Sequence, residues 1–418
     1  MKGTVKIIMV LGVLGLCNAA SAMDGSGTET DPYIITNAEE LQAMRDDLSA
    51  YYQLGNDIDA CDTQNWNEGA GFEPIGNGTT ALTGSLDGRM HTITGLYINR
   101  GAGEYIGLVG VALNGAEISN VGLADADITG FKKVGALVGC NDNSTVSCCW
   151  SSGTVRGVES GSINSRVGGL AGVNVHNSLM VKCYSTANVT SGAWQVGGLS
   201  GYNGHGSVVI DCYAMGAVTG AYKVGGLVGD NCYPEGGYVM SCYSTGKVTG
   251  YGGGLIGYAF NGGVTYDSYW DTETSGRLSS YGGTPKTTAQ MMQEATFVNW
   301  DFNEVWGIIE GETYPFFWWE VSGADLAIVR LECAIAKKAA ALDLLAKALE
   351  LEADAYEVLV GMLDSEDYGD LTKSDIIKAK QEIHSAIQVE EQAVQSVEKG
   401  AGNLEESLEK LTGAEEQP

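Results

Sequence analysis

Between residues 100 and 285 the apolar positions recur neither every 3.6 residues nor in simple alternation, but in blocks. Six segments, YIGLVG, VGALVG, VGGLAG, VGGLSG, VGGLVG and GGGLIG, carry a leucine at Leu108, Leu137, Leu170, Leu199, Leu227 and Leu255, spaced 29, 33, 29, 28 and 28 residues apart. Between them a second block repeats: CWSSGTVRG from Cys149, CYSTANVTS from Cys183, CYAMGAVTG from Cys212 and CYSTGKVTG from Cys242. Each period holds about three short β-prone runs parted by Gly, Asn or Ser turns. Glycine interrupts every run long enough for a helix, so helices are excluded here. Three short strands per period of nearly constant length make one coil of a parallel β-solenoid, each coil hydrogen-bonded to the next. The glycines are expected to allow positive φ at the corners and close backbone approach within a narrow coil. A phosphate-binding loop would occur once and lead into a helix, which these runs do not.

The repeated G-x-L-x-G with its CYS-TG-x-VTG partner resembles the GLUG-motif family of bacterial and archaeal exported proteins. LDGRMHTITGL (Leu86 to Leu96) looks like an opening coil of such solenoids, and DPYIITNAEELQAM (Asp31 to Met44) resembles their lead-in. The resemblance covers roughly residues 28 to 320. It implies a right-handed, β-helix-like domain on surface or secreted proteins, adhesins among them, and an accessory part of some immunoglobulin A-cleaving zinc peptidases. Family membership fixes a fold more firmly than a function.

Aligning the second block gives two columns. One is Cys149, Cys183, Cys212, Cys242 and, as last rung, Ser268; the other is Trp150, Tyr184, Tyr213, Tyr243 and Tyr269. Adjacent strand residues face opposite sides. Two residues before each cysteine come Ser147, Val181, Ile210, Met240 and Tyr266, mostly apolar, so the cysteines are expected to point inward and the aromatics outward. The inward thiols form a ladder of small apolar groups, with disulfides between rungs as the alternative. The outward rings either stiffen the sheet or form an exposed strip that binds sugar rings or a partner's apolar surface, and these five are the candidate ligand-binding residues.

The ends differ from the middle. Asn37 with Glu40 marks the start of a short helix through Leu41, Met44 and Leu48 that covers the first coil. Phe297, Trp300, Phe302, Trp306 and the run Phe316 to Trp319 are read as closing the last coil. Beyond them glycine nearly vanishes. From Ile328 to Leu363 and from Ile376 to Leu411, apolar residues follow steps of three and four, broken at Lys338, Glu352, Lys380 and Glu390. These are heptad seams joined by the polar link DSEDYGDLT, which predicts an antiparallel, coiled-coil-like helical hairpin about 60 Å long. Leu326, Leu344 and Leu351 widen the apolar stripe toward self-association or docking.

The domains expected are a signal peptide (1–22), a lead-in and cap (23–85), the solenoid (86–285), an aromatic cap (286–323) and the helical hairpin (324–418). The signal reading rests on Lys2 and Lys6 before IIMVLGVLGL and the exit Ala20-Ser21-Ala22, with a lipoprotein signal at Cys17 as the alternative. Ten cysteines less Cys17 leave an odd number. With 23 basic against 52 acidic residues, a net charge of −29, nucleic acid and anionic membranes are disfavoured as partners, and no later run is long enough to insert in a bilayer.

Chemistry is sparse. His91, His176, His205 and His384 form no H-E-x-x-H pair and nominate no triad, so neither metal nor cofactor is expected. DTETSG (Asp271 to Gly276) opens like a calcium loop but lacks the closing glutamate at Gly282. Asp57, Asp59, Asp62, Asp125 and Asp127 are the acids available to a polysaccharide-cleaving β-helix enzyme, the alternative to the main reading. That main reading is an exported or cell-surface, non-enzymatic adhesion or structural module whose partner is an extracellular glycan or surface protein.

Overall fold

The computed structural model describes residues 23–158, 165–192, 194–232, 236–260, 263–321, 323–365 and 372–415. The leader, with Cys17, and most of the interhelical link lie outside them.

The repeat region is a parallel β-solenoid. A nine-stranded face runs from Tyr33–Ile35 through Glu117–Ser119, Leu179–Val181 and Tyr238–Met240 to Val264–Tyr266. A six-stranded face stacks Val109–Leu113, Val138–Asp142, Ala171–Val175, Ser200–Asn203, Val228–Cys232 and Ile256–Phe260. The third side carries the CYS and VTG runs, with Tyr184 opposite Tyr213, Tyr213 opposite Tyr243, and Val189 opposite Val218. Every one of these pairings is parallel, so each residue type falls above its counterpart one coil on.

The motif leucines Leu108 through Leu255 are all fully buried, as are Val146, Met180, Val209 and Val239. Each such rung contributes roughly 1.5–3 kcal/mol of apolar burial. Four residues after the motif leucine comes a polar rung that the sequence reading overlooked: Asn141, Asn174, Asn203 and Asn231, all buried. Each amide donates to the next, Asn141 to Asn174 at 2.8 Å, Asn174 to Asn203 at 2.9 Å and Asn203 to Asn231 at 2.9 Å. A second contact from each reaches a backbone carbonyl, such as Val208 O or Tyr238 O. The ladder starts at Asn141 because Ala112, its neighbour in register, has no amide to offer. Only the first oxygen, Asn141 Oδ1, is left without a partner, and such a chain of linked amides fixes register in a way apolar rungs do not.

The motif glycines are required by space, not by φ. A Cβ on Gly226 would lie 2.1 Å from Gly254 O, and one on Gly225 would lie 1.9 Å from Val228 O. Neither has positive φ. The expectation of left-handed glycine corners therefore fails for these motif glycines but holds elsewhere in the coils, at Gly115 (φ 89), Gly153 (φ 102), Gly206 (φ 74) and Gly250 (φ 121). One left-handed column is made of non-glycine residues, Cys148 (φ 50), Lys182 (54), Asp211 (50), Ser241 (50) and Asp267 (43), directly before the cysteine rungs and Ser268.

Those corner residues also reset the strand alternation. Ser147, Val181, Ile210 and Met240 are only partly buried, whereas Val146, Met180, Val209 and Val239, one position earlier, are the inward ones. Cys149, Cys183, Cys212 and Cys242 do point inward, fully buried, but because the backbone turns before them. All nine cysteines among the described residues are free thiols. Burial pushes Cys149 and Cys212 well above the usual thiol range.

At the N-terminal end Asn37 caps a helix at Ala38–Ala43 through Glu40 N–H (2.8 Å), and a 3₁₀ turn at Met44–Asp46 ends it earlier than the Leu48 expected. At the other end two helices, Gly323–Ser365 and Lys373–Glu415, pack together. They run antiparallel: Tyr356 meets His384, while Lys338 reaches Gly400. Lys337 pairs with Glu294 at 2.6 Å, Arg330 lies over Trp318, and Cys333 is buried, which ties the first helix to the aromatic segment. No described helix is long and apolar enough to cross a membrane.

A methyl group at the motif should therefore be far costlier than one in the hairpin. Gly226→Ala is expected to lose at least about 2 kcal/mol of solenoid stability in urea unfolding. Gly361→Ala, where nothing lies within 4 Å of the added carbon, should leave the solenoid transition in place and stabilise the helix by up to about 1 kcal/mol. A Gly226→Ala protein unfolding like the parent would contradict the close-approach account.

Candidate functional site

Two aromatic columns run along the third side of the solenoid, and they have opposite fates. The first is the expected one. Trp150 and Tyr184 stack with centroids 5.8 Å apart, Tyr184 and Tyr213 at 4.7 Å, and Tyr213 and Tyr243 at 5.0 Å, all within 10° of parallel. The rings point outward, away from the coil interior, yet Tyr213, Tyr243 and Tyr269 are buried and Trp150 and Tyr184 half-buried.

The cover is the aromatic segment. Phe317 packs on Tyr213, Trp306 on Tyr243, Phe297 edge-on against Tyr269 at 5.3 Å, and Trp319 on Tyr184 at 5.8 Å. Polar ends are matched as well: Tyr213 donates to both oxygens of Glu320, Tyr243 donates to Pro315 O, and Tyr269 accepts from Val298 N–H. Trp300 Nε1 donates to Asp267 O at 2.8 Å. The expectation that Trp150, Tyr184, Tyr213, Tyr243 and Tyr269 form an exposed strip is thus corrected. Residues 297–320 also do more than close the last coil, since they lie along the flank of successive coils and cover the rings from Tyr184 to Tyr269.

The second column was missed. Trp194, Tyr222 and Tyr251 lie one per coil in the turn between the VTG-type strand and the glycine motif, and Tyr281, after the helical turn Thr272–Ser275, continues the row. Tyr222 is 51% exposed, Tyr251 64% and Tyr281 45%. Trp194 and Tyr222 have centroids 5.1 Å apart, Tyr222 and Tyr251 6.4 Å, and Tyr251 shares a side-chain hydrogen bond with Tyr281. The turn is held by the Val224 N–H to Tyr251 O and Tyr251 N–H to Ala221 O bonds, which leave the rings free to face outward. The signal was present in VTSGAW, VTGAY and VTGY, one aromatic four or five residues before the motif leucines Leu199, Leu227 and Leu255. It was overshadowed by the more regular CY column.

The candidate acids are dispersed. Asp57 accepts from Thr92 N–H and bonds His91, and Asp59 accepts from Cys61 N–H; these bonds hold both carboxyls below their usual range. Asp62 lies in a 3₁₀ turn, Asp125 at a left-handed corner, and Asp127 pairs with Arg156. A glycosidase needs a carboxyl whose pKa is raised, which Asp57 and Asp59 are not. DTETSG forms one helical turn, Thr272–Ser275, capped by Asp271; that buried carboxylate also accepts from Thr288 and Tyr314, locking the aromatic segment to the last coil. Among the described residues no group of three or more His, Cys, Asp or Glu could hold a metal.

With this geometry in place, the comparisons with known proteins are consistent. The family model described as the GLUG motif matches residues 192–219, a stretch that includes Trp194 and one VGGLSG block. The chain is 39% identical over 174 residues, 40% of its length, to halomucin of Haloquadratum walsbyi, of which that match spans 2%. It is 30% identical over 404 residues, 72% of its length and 46% of the relative's, to a protein of Evansella cellulosilytica described as a Gly-rich membrane protein. The chain therefore spans less than half of either curated relative. A solved structure from Bacteroides ovatus, described as a candidate immunoglobulin A1 protease, superposes with a TM-score of 0.55 at 24% identity over 71% of this chain and 94% of that one, a likeness of fold. No enzymatic family is matched. The molecule is a repeat protein of the parallel β-solenoid class. More narrowly, it is a GLUG β-solenoid protein.

Glu320 gives a direct test of the cover. Burial pushes its carboxyl up to about 7, against Phe317 N–H and the Tyr213 hydroxyl, which pull it down. The folded state thus binds the proton more tightly than the unfolded chain. Docking of the cover is then strongest below about pH 4.5 and weakens as pH rises toward 7. Glu320→Gln should remove this dependence. Its melting temperature relative to the parent is expected to rise between pH 4.5 and 7.5, and a constant difference would contradict the buried carboxyl.

Proposed function

We propose that the protein is an exported or surface-displayed adhesion module, in which the solenoid presents a row of aromatic rings to an extracellular glycan or to the apolar surface of a partner. The observation that carries this reading is the column of exposed Tyr222, Tyr251 and Tyr281, begun by half-buried Trp194. Rings repeated once per coil, with centroids 5.1 and 6.4 Å apart, make a shallow, amphipathic platform suited to an extended ligand and not to enclosing a reacting bond. The similarity to halomucin and to a Gly-rich membrane protein supports placement at the cell surface or beyond it. The strong acidity keeps such a module soluble and away from nucleic acid. Self-association through the helices of residues 324–418 belongs to the same proposal, supported by the solvent-facing Leu344, Leu351 and Val358, spaced by seven residues.

Replacing Tyr222 and Tyr251 together with serine is expected to weaken binding in a glycan-array or whole-cell adhesion assay by about ten-fold or more, with little change in thermal unfolding. Tyr213→Ser, in the covered column, should do the reverse and lower stability. Undiminished adhesion by a folded Tyr222→Ser/Tyr251→Ser protein would place the binding surface elsewhere.

A further inference from the structure

Outside the six-stranded face, one residue per coil folds back over the sheet from the corner before the glycine motif. Left-handed backbone at Tyr105 (φ 61), Lys133 (φ 53) and Lys223 (φ 48) turns these side chains toward the face. Lys133 lies 4.0 Å from the centroid of Tyr105 and donates to its hydroxyl at 2.7 Å. The Arg166 guanidinium lies 4.2 Å over Tyr202 and donates through Nε to Gln195 at 3.0 Å. Lys223 lies over Tyr258 in the same way, but Asp230 neutralises it at 2.7 Å.

Lys133 and Arg166 have no such partner. Among the described residues neither makes an ion pair, in a chain where acids outnumber bases by more than two to one. Both border a pocket of about 250 Å³ whose wall includes Tyr105, the His176 and His205 rings 4.7 Å apart, and the polar turn at Asn77. The acid in that wall, Asp142, is already bonded to His176 Nδ1 at 2.8 Å. Its floor is apolar, with Val111, Cys140 and Val173. Two cations without an ion-pair partner outnumber the one carboxylate, Asp142, and over an apolar floor, beside an aromatic ring and amide groups, they form a site for a small anion with a ring attached.

We propose that this pocket binds a single carboxylate-bearing sugar residue of an acidic glycan. The Arg166 fork and Lys133 ammonium meet the carboxylate, while Tyr105 and Asn77 meet the ring and its hydroxyls. Arg166 is suited to this because its described hydrogen bond uses Nε and leaves the terminal nitrogens for a bidentate contact. A singly charged carboxylate is favoured over sulfate or phosphate, since the surrounding field of a chain at −29 repels each added charge. The volume admits one such residue at a time. The inference deepens the glycan-binding reading above but stands on different residues.

Calorimetric titration of the full chain with D-glucuronate at pH 7, in parallel with D-glucose and with sodium sulfate, tests it. Glucuronate should saturate, glucose should not bind, and sulfate should bind at least about ten-fold more weakly. Lys133→Gln and Arg166→Gln should each weaken glucuronate by about ten-fold or more. Lys132→Gln removes the same charge one residue away, where Lys132 pairs with Glu104 at 3.3 Å, and should change affinity by less than about two-fold. Lys133→Gln also answers for Arg166→Gln should loss of the Tyr202 stack unfold that variant. Absence of saturable glucuronate binding, sulfate binding of equal strength, or full affinity in a folded Lys133→Gln protein would each overturn the proposal. Titrating the Tyr222→Ser/Tyr251→Ser protein separates the two sites: retained glucuronate affinity supports an independent pocket, and its loss overturns that independence.

Discussion

The approach of one coil's backbone to the next at the glycine motif is the constraint on which this structure rests. Gly226 leaves no room for a methyl group beneath Gly254 O, and its counterpart Gly198 faces Gly226 O at the same 2.1 Å. Coils held that closely cannot slide, so each position stacks on its own counterpart. The result is columns of like residues: leucine and valine inside, thiols at one corner, and a chain of buried amides at another. Apolar rungs alone would tolerate slippage, but an amide chain shifted by one place would strand a buried donor on every coil.

The same stacking makes outward columns, and their environment decides what they do. The rings from Tyr184 to Tyr269 became a docking ridge for residues 297–320, which bring matching rings and a hydrogen-bond partner for the hydroxyls of Tyr213, Tyr243 and Tyr269. The first C-terminal helix is then anchored on that segment through Lys337 and Arg330. The rings at Tyr222, Tyr251 and Tyr281 have no such cover among the described residues and remain open to solvent. One architectural rule thus yields a structural seam on one edge and an exposed row of rings on another.

The fold class was legible because a solenoid writes its period into the sequence, and the heptad seams announced the helical pair equally plainly. The inward cysteines were also read correctly, although by strand alternation that the left-handed residues Cys148, Lys182, Asp211 and Ser241 interrupt. Exposure was not legible. Whether Tyr213 or Tyr222 meets solvent depends on where a segment some hundred residues later comes to rest, as in the Tyr213 to Glu320 contact. Nothing in the period itself encodes that. The asparagine ladder could have been found, since each member follows its motif leucine by four residues, but isolated asparagines between glycines read first as turns.

Hydroxyl-radical footprinting of the native protein, read residue by residue in a mass spectrometer, tests the division between the two aromatic columns most directly. The account predicts fast modification of Tyr222, Tyr251 and Tyr281, and protection of Tyr213, Tyr243 and Trp306 until the protein unfolds. Equal labelling of both columns, or faster labelling of Tyr213 and Tyr243, would contradict it.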